Sequence, residues 1–226
     1  MSLTIGVVIP CYKPHIGVLK RLLDSIEAQS RKPDMVVVSC SSSQEEDMPY
    51  KSSDYSYPLK IFTHSEKRNT AQNKNYGSRI VGTDIISYFD ADDIMHPQRI
   101  EVIFNVFMKN SNLKLLLHSL KLNPPDFNYP TYEVQSIPVE LDPFFICHWG
   151  AVNLKHESYR AIHNGHNAIR KDIFNEVQYI ESDDGLGRED TIFNRVLIQK
   201  YQNSQCIGYC PYELTWYFPS STGGYR

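Results

Sequence analysis

Hydrophobic and polar positions follow two rhythms along the first hundred residues. Residues 4–10 (TIGVVIP) are a nearly unbroken β-branched run closed by proline, the pattern of a strand buried on both faces of a parallel sheet. Residues 11–16 read as the loop that follows. Val18, Leu19, Leu22, Leu23 and Ile26 then recur at helical spacing, and Pro33 stops the pattern. A second apolar run, 35–38, ends in the polar stretch 39–43. A third short strand over 59–62 precedes a polar helix at about 70–80, and a fourth over 84–89 stops at Asp90. This alternation predicts a parallel, right-handed α/β unit whose ligand lies beyond the carboxyl ends of the strands. Those ends carry Pro10-Cys11-Tyr12, Ser39-Cys40-Ser41 and Asp90-Ala91-Asp92-Asp93.

Further on, residues 97–109 read as an amphipathic helix with proline in its first turn. Residues 110–150 are less regular, with five prolines between short strand candidates. Helices are expected at 171–177 and 190–201, and the tail from Pro211 ends in 220–224 (SSTGG), a mobile-loop composition. No internal repeat or separating linker breaks the chain, so 1–226 is expected to be a single domain.

Composition narrows the function classes. The 226 residues carry 23 basic and 26 acidic side chains, a net charge of -3, and no basic run exceeds a pair. That balance excludes nucleic acid as the main partner. Five cysteines without a CxxC pair suit reduced thiols, hence an expected cytoplasmic location. No apolar stretch approaches the roughly 20 residues of a transmembrane helix, and peripheral contact with a membrane stays allowed. With a strand so close to the first residue, no signal peptide is expected. The 15 tyrosines suit sugar rings or interfaces, or equally half-buried loop positions.

Asp90, Asp92 and Asp93 follow a fully apolar strand, where like charges repel and hydration is limited. Three carboxylates are costly there unless a cation or ligand hydroxyls compensate them. Oxygen ligands suit Mg²⁺ or Mn²⁺, ions that commonly bridge carboxylates to substrate phosphates. A solvated turn with capping aspartates is the plain alternative.

Four motifs in one order resolve that choice. The opening VVIPCYK, the helix start NKNYG at 73–77, the strand end DIISYFDADD and the later GREDTIFNRVL together resemble the family 2 glycosyltransferases of the GT-A fold. The resemblance is dense over 4–104 and thinner over 163–200. It implies a Rossmann-like, mostly parallel central sheet with helices on both faces, a nucleotide-sugar half at 1–104 and an acceptor half at 105–226.

Carried over by position, it implies that Pro10 and Tyr12 line the base pocket, with Ser39, Ser41, Lys74, Asn75, Asp90, Ala91 and Asp92 also on the nucleotide sugar. Asp90 would bind the ribose, and Asp92, with Asp90 or Asp93 beside it, the metal. Asp190 would be the base that deprotonates the acceptor hydroxyl. Glu189, His163, His166 and Arg188 are candidates for the acceptor or the diphosphate. The activity implied is inverting transfer from a nucleotide-diphosphate sugar, a UDP-sugar foremost, to a glycan, glycolipid or glycoprotein acceptor with Mn²⁺ or Mg²⁺.

The sequence departs from the family pattern in four places, one of them Thr83 where glycine is frequent. Ser39-Cys40-Ser41 stands where an acidic residue usually meets the base. Lys74 replaces an arginine, keeping the charge without the planar two-point grip. No histidine follows His166, although many relatives complete the metal shell with a late one. A non-catalytic nucleotide-sugar or glycan-binding module of the same fold is therefore the alternative. Cys147, His148, His156, His163 and His166 match no usual zinc spacing. Tyr129, Tyr132, His148 and Trp149 are candidates for the acceptor pocket.

Overall fold

The computed structural model describes residues 3–123, 126, 128–143, 145–148, 151–154, 162–182 and 187–218. Strand β1 (Ile5–Tyr12) explains the layering. Ile5, Val7 and Ile9 enter one hydrophobic core and Val8 enters a second on the opposite face, so both faces are covered. The first core is closed by α1 (Ile16–Glu27) and α3 (Arg99–Lys109). The second is closed by α2 (Thr70–Ile80), α4 (Lys171–Glu176) and α5 (Glu189–Tyr201).

Strands β2 (Met35–Ser41), β3 (Leu59–His64) and β4 (Ile85–Tyr88) run parallel to β1 in the order β3-β2-β1-β4. Beyond β4 come β10 (Ala168–Arg170), β6 (Leu115–Leu122), β11 (Ile207–Tyr217) and β5 (Ile94–Met95), with β7 (Glu140–Leu141) also on β11. A hairpin of β8 (Phe145–His148) and β9 (Ala151–Leu154) forms a separate two-stranded sheet. Strand β10 is antiparallel to both β4 and β6, while β6 and β11 are parallel. An antiparallel strand begins where its neighbour ends. Ala168 pairs with Ser87, so residues 163–167 are delivered to the acidic carboxyl end of β4.

Arg99 laces this junction. Buried within α3, its guanidinium donates to Ser87 Oγ, to the carbonyls of Tyr88 and His166, and to His118 Nε2. Burial lowers its pKa to about 9. Helix α2 approaches β1 closely because Gly77 has no side chain; a Cβ there would lie 2.6 Å from Val8 Cγ1.

Strand β11 runs on past Pro211 to Tyr217, held by β6 on one side and β5 on the other. A register shift between Cys210 and Glu213 absorbs the proline, which cannot donate to the ladder. The loop expected from Cys11 begins later, because β1 pairs with β2 as far as Tyr12 and Ser41. Among the described residues no helix is long and apolar enough to cross a membrane. Trp149, His156 and residues 220–224 lie outside the described residues.

Candidate active site

A cleft of about 270 Å³ opens at the carboxyl ends of β1 and β4. Its lining includes Pro10, Tyr12, Asp90, Ala91, Asp92, His163, Glu189 and Asp190, which the sequence singles out. Cys11, His15, Thr70, Asn73 and Tyr217 also line it, none of them given a role from the sequence. Helix α5 brings Glu189 and Asp190 in its first turn, where the helix dipole favours carboxylates.

Lys74 lies beneath the cleft, and its side chain is 0% exposed. Its Nζ donates to Asp190 Oδ1 at 2.6 Å, approaches Asp90 Oδ1 at 3.5 Å and reaches the Gly165 carbonyl at 3.4 Å. One buried ammonium thus joins the strand-end carboxylate to the helix-start carboxylate. Burial alone would lower its pKa, but Asp190, Asp90 and Glu189 outweigh burial and raise it. Burial pushes Asp190 up to about 7, against the pull of Lys74 and with Glu189 and Asp90 adding to the rise. Burial also opposes ionisation of Asp90, yet Lys74 and His166 win and hold it well below the usual carboxylate range. Gly165 makes this packing feasible, since a Cβ there would meet Asp90 Oδ2 at 2.8 Å and Asp190 Oδ2 at 2.9 Å.

His166 is 0% exposed and fixed on four sides. Its Nε2 accepts the Asp90 amide at 3.0 Å, and its Nδ1 pairs with Thr215 Oγ1 at 3.0 Å. Its ring stacks between Phe89 and His163, with centroids 4.0 and 3.7 Å away. Asp93, 1% exposed, accepts the Phe218 amide through Oδ1 at 2.9 Å. Its Oδ2 has no hydrogen-bond partner and lies 3.3 Å from His166 Nε2 and 3.6 Å from His163 Nε2. Burial and the neighbouring Asp92 and Asp90 charges raise the Asp93 pKa well above normal. Burial lowers His163 to about 4 and takes His166 well below its ordinary value. Asp90, Asp93, His163 and His166 together offer ligand atoms all within 4.8 Å of one another. That donor set and the orphaned Asp93 oxygen fit a divalent cation.

The other sequence candidates sit elsewhere. Ser39 and Ser41 are fully buried behind the cleft. Ser39 Oγ donates to Asn73 Oδ1 and meets His64 Nε2, while Ser41 Oγ donates to the Arg68 carbonyl. Asn75 is also buried, and it grips the 179–181 segment by donating to the Tyr179 carbonyl and accepting from the Tyr179 amide. Arg188 is exposed at the start of α5 and is not among the lining residues. Tyr129 and Tyr132 stack on Trp216 and Tyr212, and neither lines the cleft. Only the backbone of His148 is described, in β8.

The signal that would have found Asn73 is the inverted face of α2, whose buried positions include Asn73, Lys74, Asn75 and Ser78. A helix that turns polar groups inward is serving a site.

Solved structures share this architecture. Crystal structures of S. aureus TarS residues 1–349 match 96% of this chain at a TM-score of 0.65 and 15% identity, covering 60% of that chain. The same protein in complex with UDP matches at 0.66 and 16%, covering 61% of that chain, and in complex with UDP-GlcNAc at 0.66 and 15%, covering 58%. At such identities the likeness establishes the fold, which is GT-A: mixed α/β with a mostly parallel sheet. The model described as glycosyl transferase family 2 matches residues 6–137, more than half of the sequence, and the chain belongs to that family. An uncharacterized glycosyltransferase of Haemophilus influenzae is 25% identical over 133 residues, 59% of this chain and 44% of the relative. The chain therefore spans less than half the length of that curated relative.

Proposed function

We propose that this chain transfers a sugar from a nucleoside diphosphate sugar, a UDP-sugar foremost, to a hydroxyl of a glycan, glycolipid or glycoprotein acceptor, inverting the anomeric configuration. One observation carries the reading: Asp190 and the acidic end of β4 open on the same cleft and are joined from below by Lys74. The TarS complexes with UDP and UDP-GlcNAc support a donor of that class.

In this reading Pro10 and Tyr12 flank the nucleoside at the end of β1, and Asp90 accepts hydrogen bonds from the ribose. A hydroxyl is a poor nucleophile until a carboxylate within hydrogen-bond reach takes its proton. Asp190 is that base, and a pKa of about 7 suits proton transfer near neutrality. Attack assisted by a single base inverts the anomeric carbon. Asp90 and Asp92, which face the cleft, would hold Mn²⁺ or Mg²⁺, and the ion when bound supplies charge neutralisation for the departing diphosphate. Lys74 fixes the spacing between the two carboxylates. It is sealed from the cleft by its own partners, so it acts on Asp190 and Asp90 instead of gripping the diphosphate.

The test is a panel of UDP-, GDP-, CDP- and dTDP-sugars, each with Mn²⁺, Mg²⁺ or a chelator, read as transfer or hydrolysis, with the product anomer assigned by NMR. Turnover of a UDP-sugar is expected. UDP binding by calorimetry without turnover of any donor would move the assignment to a non-catalytic binding module.

A further inference from the structure

We infer that Cys11 and Cys40 form an oxidation site beside the nucleoside end of the cleft: a thiol pair that a hydroperoxide closes into a reversible disulfide, weakening the hold on a nucleotide. The bond itself stands on strand register. Only its effect on binding rests on the reading above.

Register is the strongest indication. Strands β1 and β2 run parallel, and Cys11 is the direct partner of Cys40. Both side chains enter the first hydrophobic core, so they stand side by side on one face of the sheet. Paired strands lie about 4.8 Å apart, inside the Cα separation of about 4.4–6.8 Å that disulfides span. Both thiols are free, and they share a hydrogen bond. No second pair of this kind occurs among the described residues: Cys210 is partnered by His118 and Cys147 by Val152, and Cys206 precedes β11.

Exposure sets the order of events. Cys11, 2% exposed, lines the cleft, whereas Cys40 is fully buried behind it. A hydroperoxide as small as H₂O₂ therefore meets the Cys11 sulfur first. The S–O bond forms, the O–O bond breaks, and the Cys11 proton leaves with the departing oxygen as water. Cys40 supplies the second sulfur. The hydrogen bond with Cys11, then Ser43 and Lys13, lowers its pKa against the effect of burial, which favours the attacking thiolate. That thiolate attacks the sulfenic sulfur, the S–S bond forms, the S–O bond breaks, and the oxygen leaves as a second water with the Cys40 proton. The two thiols have then given two electrons and two protons to one peroxide.

The consequence falls on the cleft. Neighbouring strands start about 4.8 Å apart and a disulfide draws its Cβ atoms to about 3.8 Å, so the ends of β1 and β2 must move together. The Cys11 carbonyl accepts Asn73 Nδ2 at 3.2 Å and Ser41 Oγ at 3.5 Å, and Pro10 and Tyr12 flank it on the lining. Displacing Cys11 shifts the strand end assigned above to the nucleoside. The strain also makes the bond easy to reduce, which suits a reversible site.

Treating the whole chain with sub-millimolar H₂O₂ tests this. Peptide mass spectrometry after alkylation should find Cys11 linked to Cys40, and dithiothreitol should remove the link. UDP affinity by calorimetry should fall by about tenfold on oxidation, the scale of a disturbed hydrogen bond or two, and return on reduction. Cys40→Ala should bind UDP within about twofold of the parent and stop responding to peroxide. Circular dichroism selects the variants that fold, and Cys11→Ala gives the same loss of linkage if Cys40→Ala does not. Absence of the link in the folded parent, oxidation of Cys11 to a sulfinic acid with Cys40 untouched, or an equal loss of UDP affinity in peroxide-treated Cys40→Ala would each overturn the site. A linked chain that binds UDP as tightly as the reduced one would overturn its effect on the cleft. A reversible link in a chain that binds no UDP in either state would uphold the thiol pair and remove the proposed function.

Discussion

The two walls of the cleft are built on opposite principles. The outer wall, with Pro10, Tyr12, Ala91 and Asp92, comes from consecutive parallel strand ends and uses the generic open edge of an α/β sheet. The inner wall, with Lys74, Asp93, His163, His166 and Asp190, comes from four separate segments and takes ionisable groups out of water. Solvent can reorganise around the first. The second is held in place by its own hydrogen bonds and ion pairs, so its geometry exists before any ligand arrives. The difference predicts that substitutions on the inner wall alter both folding and chemistry, whereas those on residues behind the outer wall alter folding alone.

The largest effect should come from Asp190→Asn, which removes the proposed base while preserving shape. The transfer rate should fall by about 10²–10⁴-fold with UDP affinity retained, as read by steady-state kinetics and calorimetry. Lys74→Met leaves Asp190 and Asp90 buried without their shared cation, and urea unfolding should register a loss of about 3–5 kcal/mol. Lys74→Arg should recover part of it. If Lys74→Met proves as stable as the parent, the inner wall is not the ion-paired structure described here. Gly165→Ala places a methyl against Asp90 and Asp190, and should cost about 1–3 kcal/mol together with a lower rate.

A pH profile separates the walls without mutation. Asp190 is protonated below about 7 and then cannot accept the acceptor's proton, so the rate should climb with pH and level off above about 7. In Lys74→Met the midpoint should move higher, because the lowering influence of the ammonium is gone. A profile flat from pH 5 to 8, to within about twofold, would remove Asp190 from the role of base. The smallest effect is expected from Ser39→Ala: about 1 kcal/mol of stability for its lost hydrogen bonds, and no change in UDP affinity. A large loss of UDP binding there would return Ser39 to the nucleotide pocket.

The outer wall was legible because its information is local. A strand pattern, a proline and a D-x-D at the strand's end lie within a few residues of one another, and the sheet topology fixes where that end points. The position of Asp190 at a helix start was readable for the same reason, while its proposed role came with the family resemblance. The arrangement of the rest of the inner wall was not legible, because Lys74, Asp93, His163 and His166 meet their neighbours only through tertiary pairing. His163 and His166 match no zinc spacing in sequence, yet a three-residue strand sets them beside Asp90 and Asp93. Three residues carry no readable period. Lys74 read as a nucleotide-sugar contact because it stands where the family resemblance has an arginine, and only the fold shows that α2 turns its polar face inward.

Strand β10 has a consequence for divergence. Its register, Ala168 on Ser87 and Ile169 on Leu115, fixes the histidine segment by backbone pairing on both sides, and the preceding excursion adds the hydrogen bonds between the Asn164 side chain and the Val152 backbone. Exchanges in the stretch between Leu122 and Ile162 that keep the Val152 backbone in place would leave that register intact. Descendants of such a scaffold could vary that excursion while the ion-paired wall is inherited unaltered, so that selection acts on the two through separate parts of the chain.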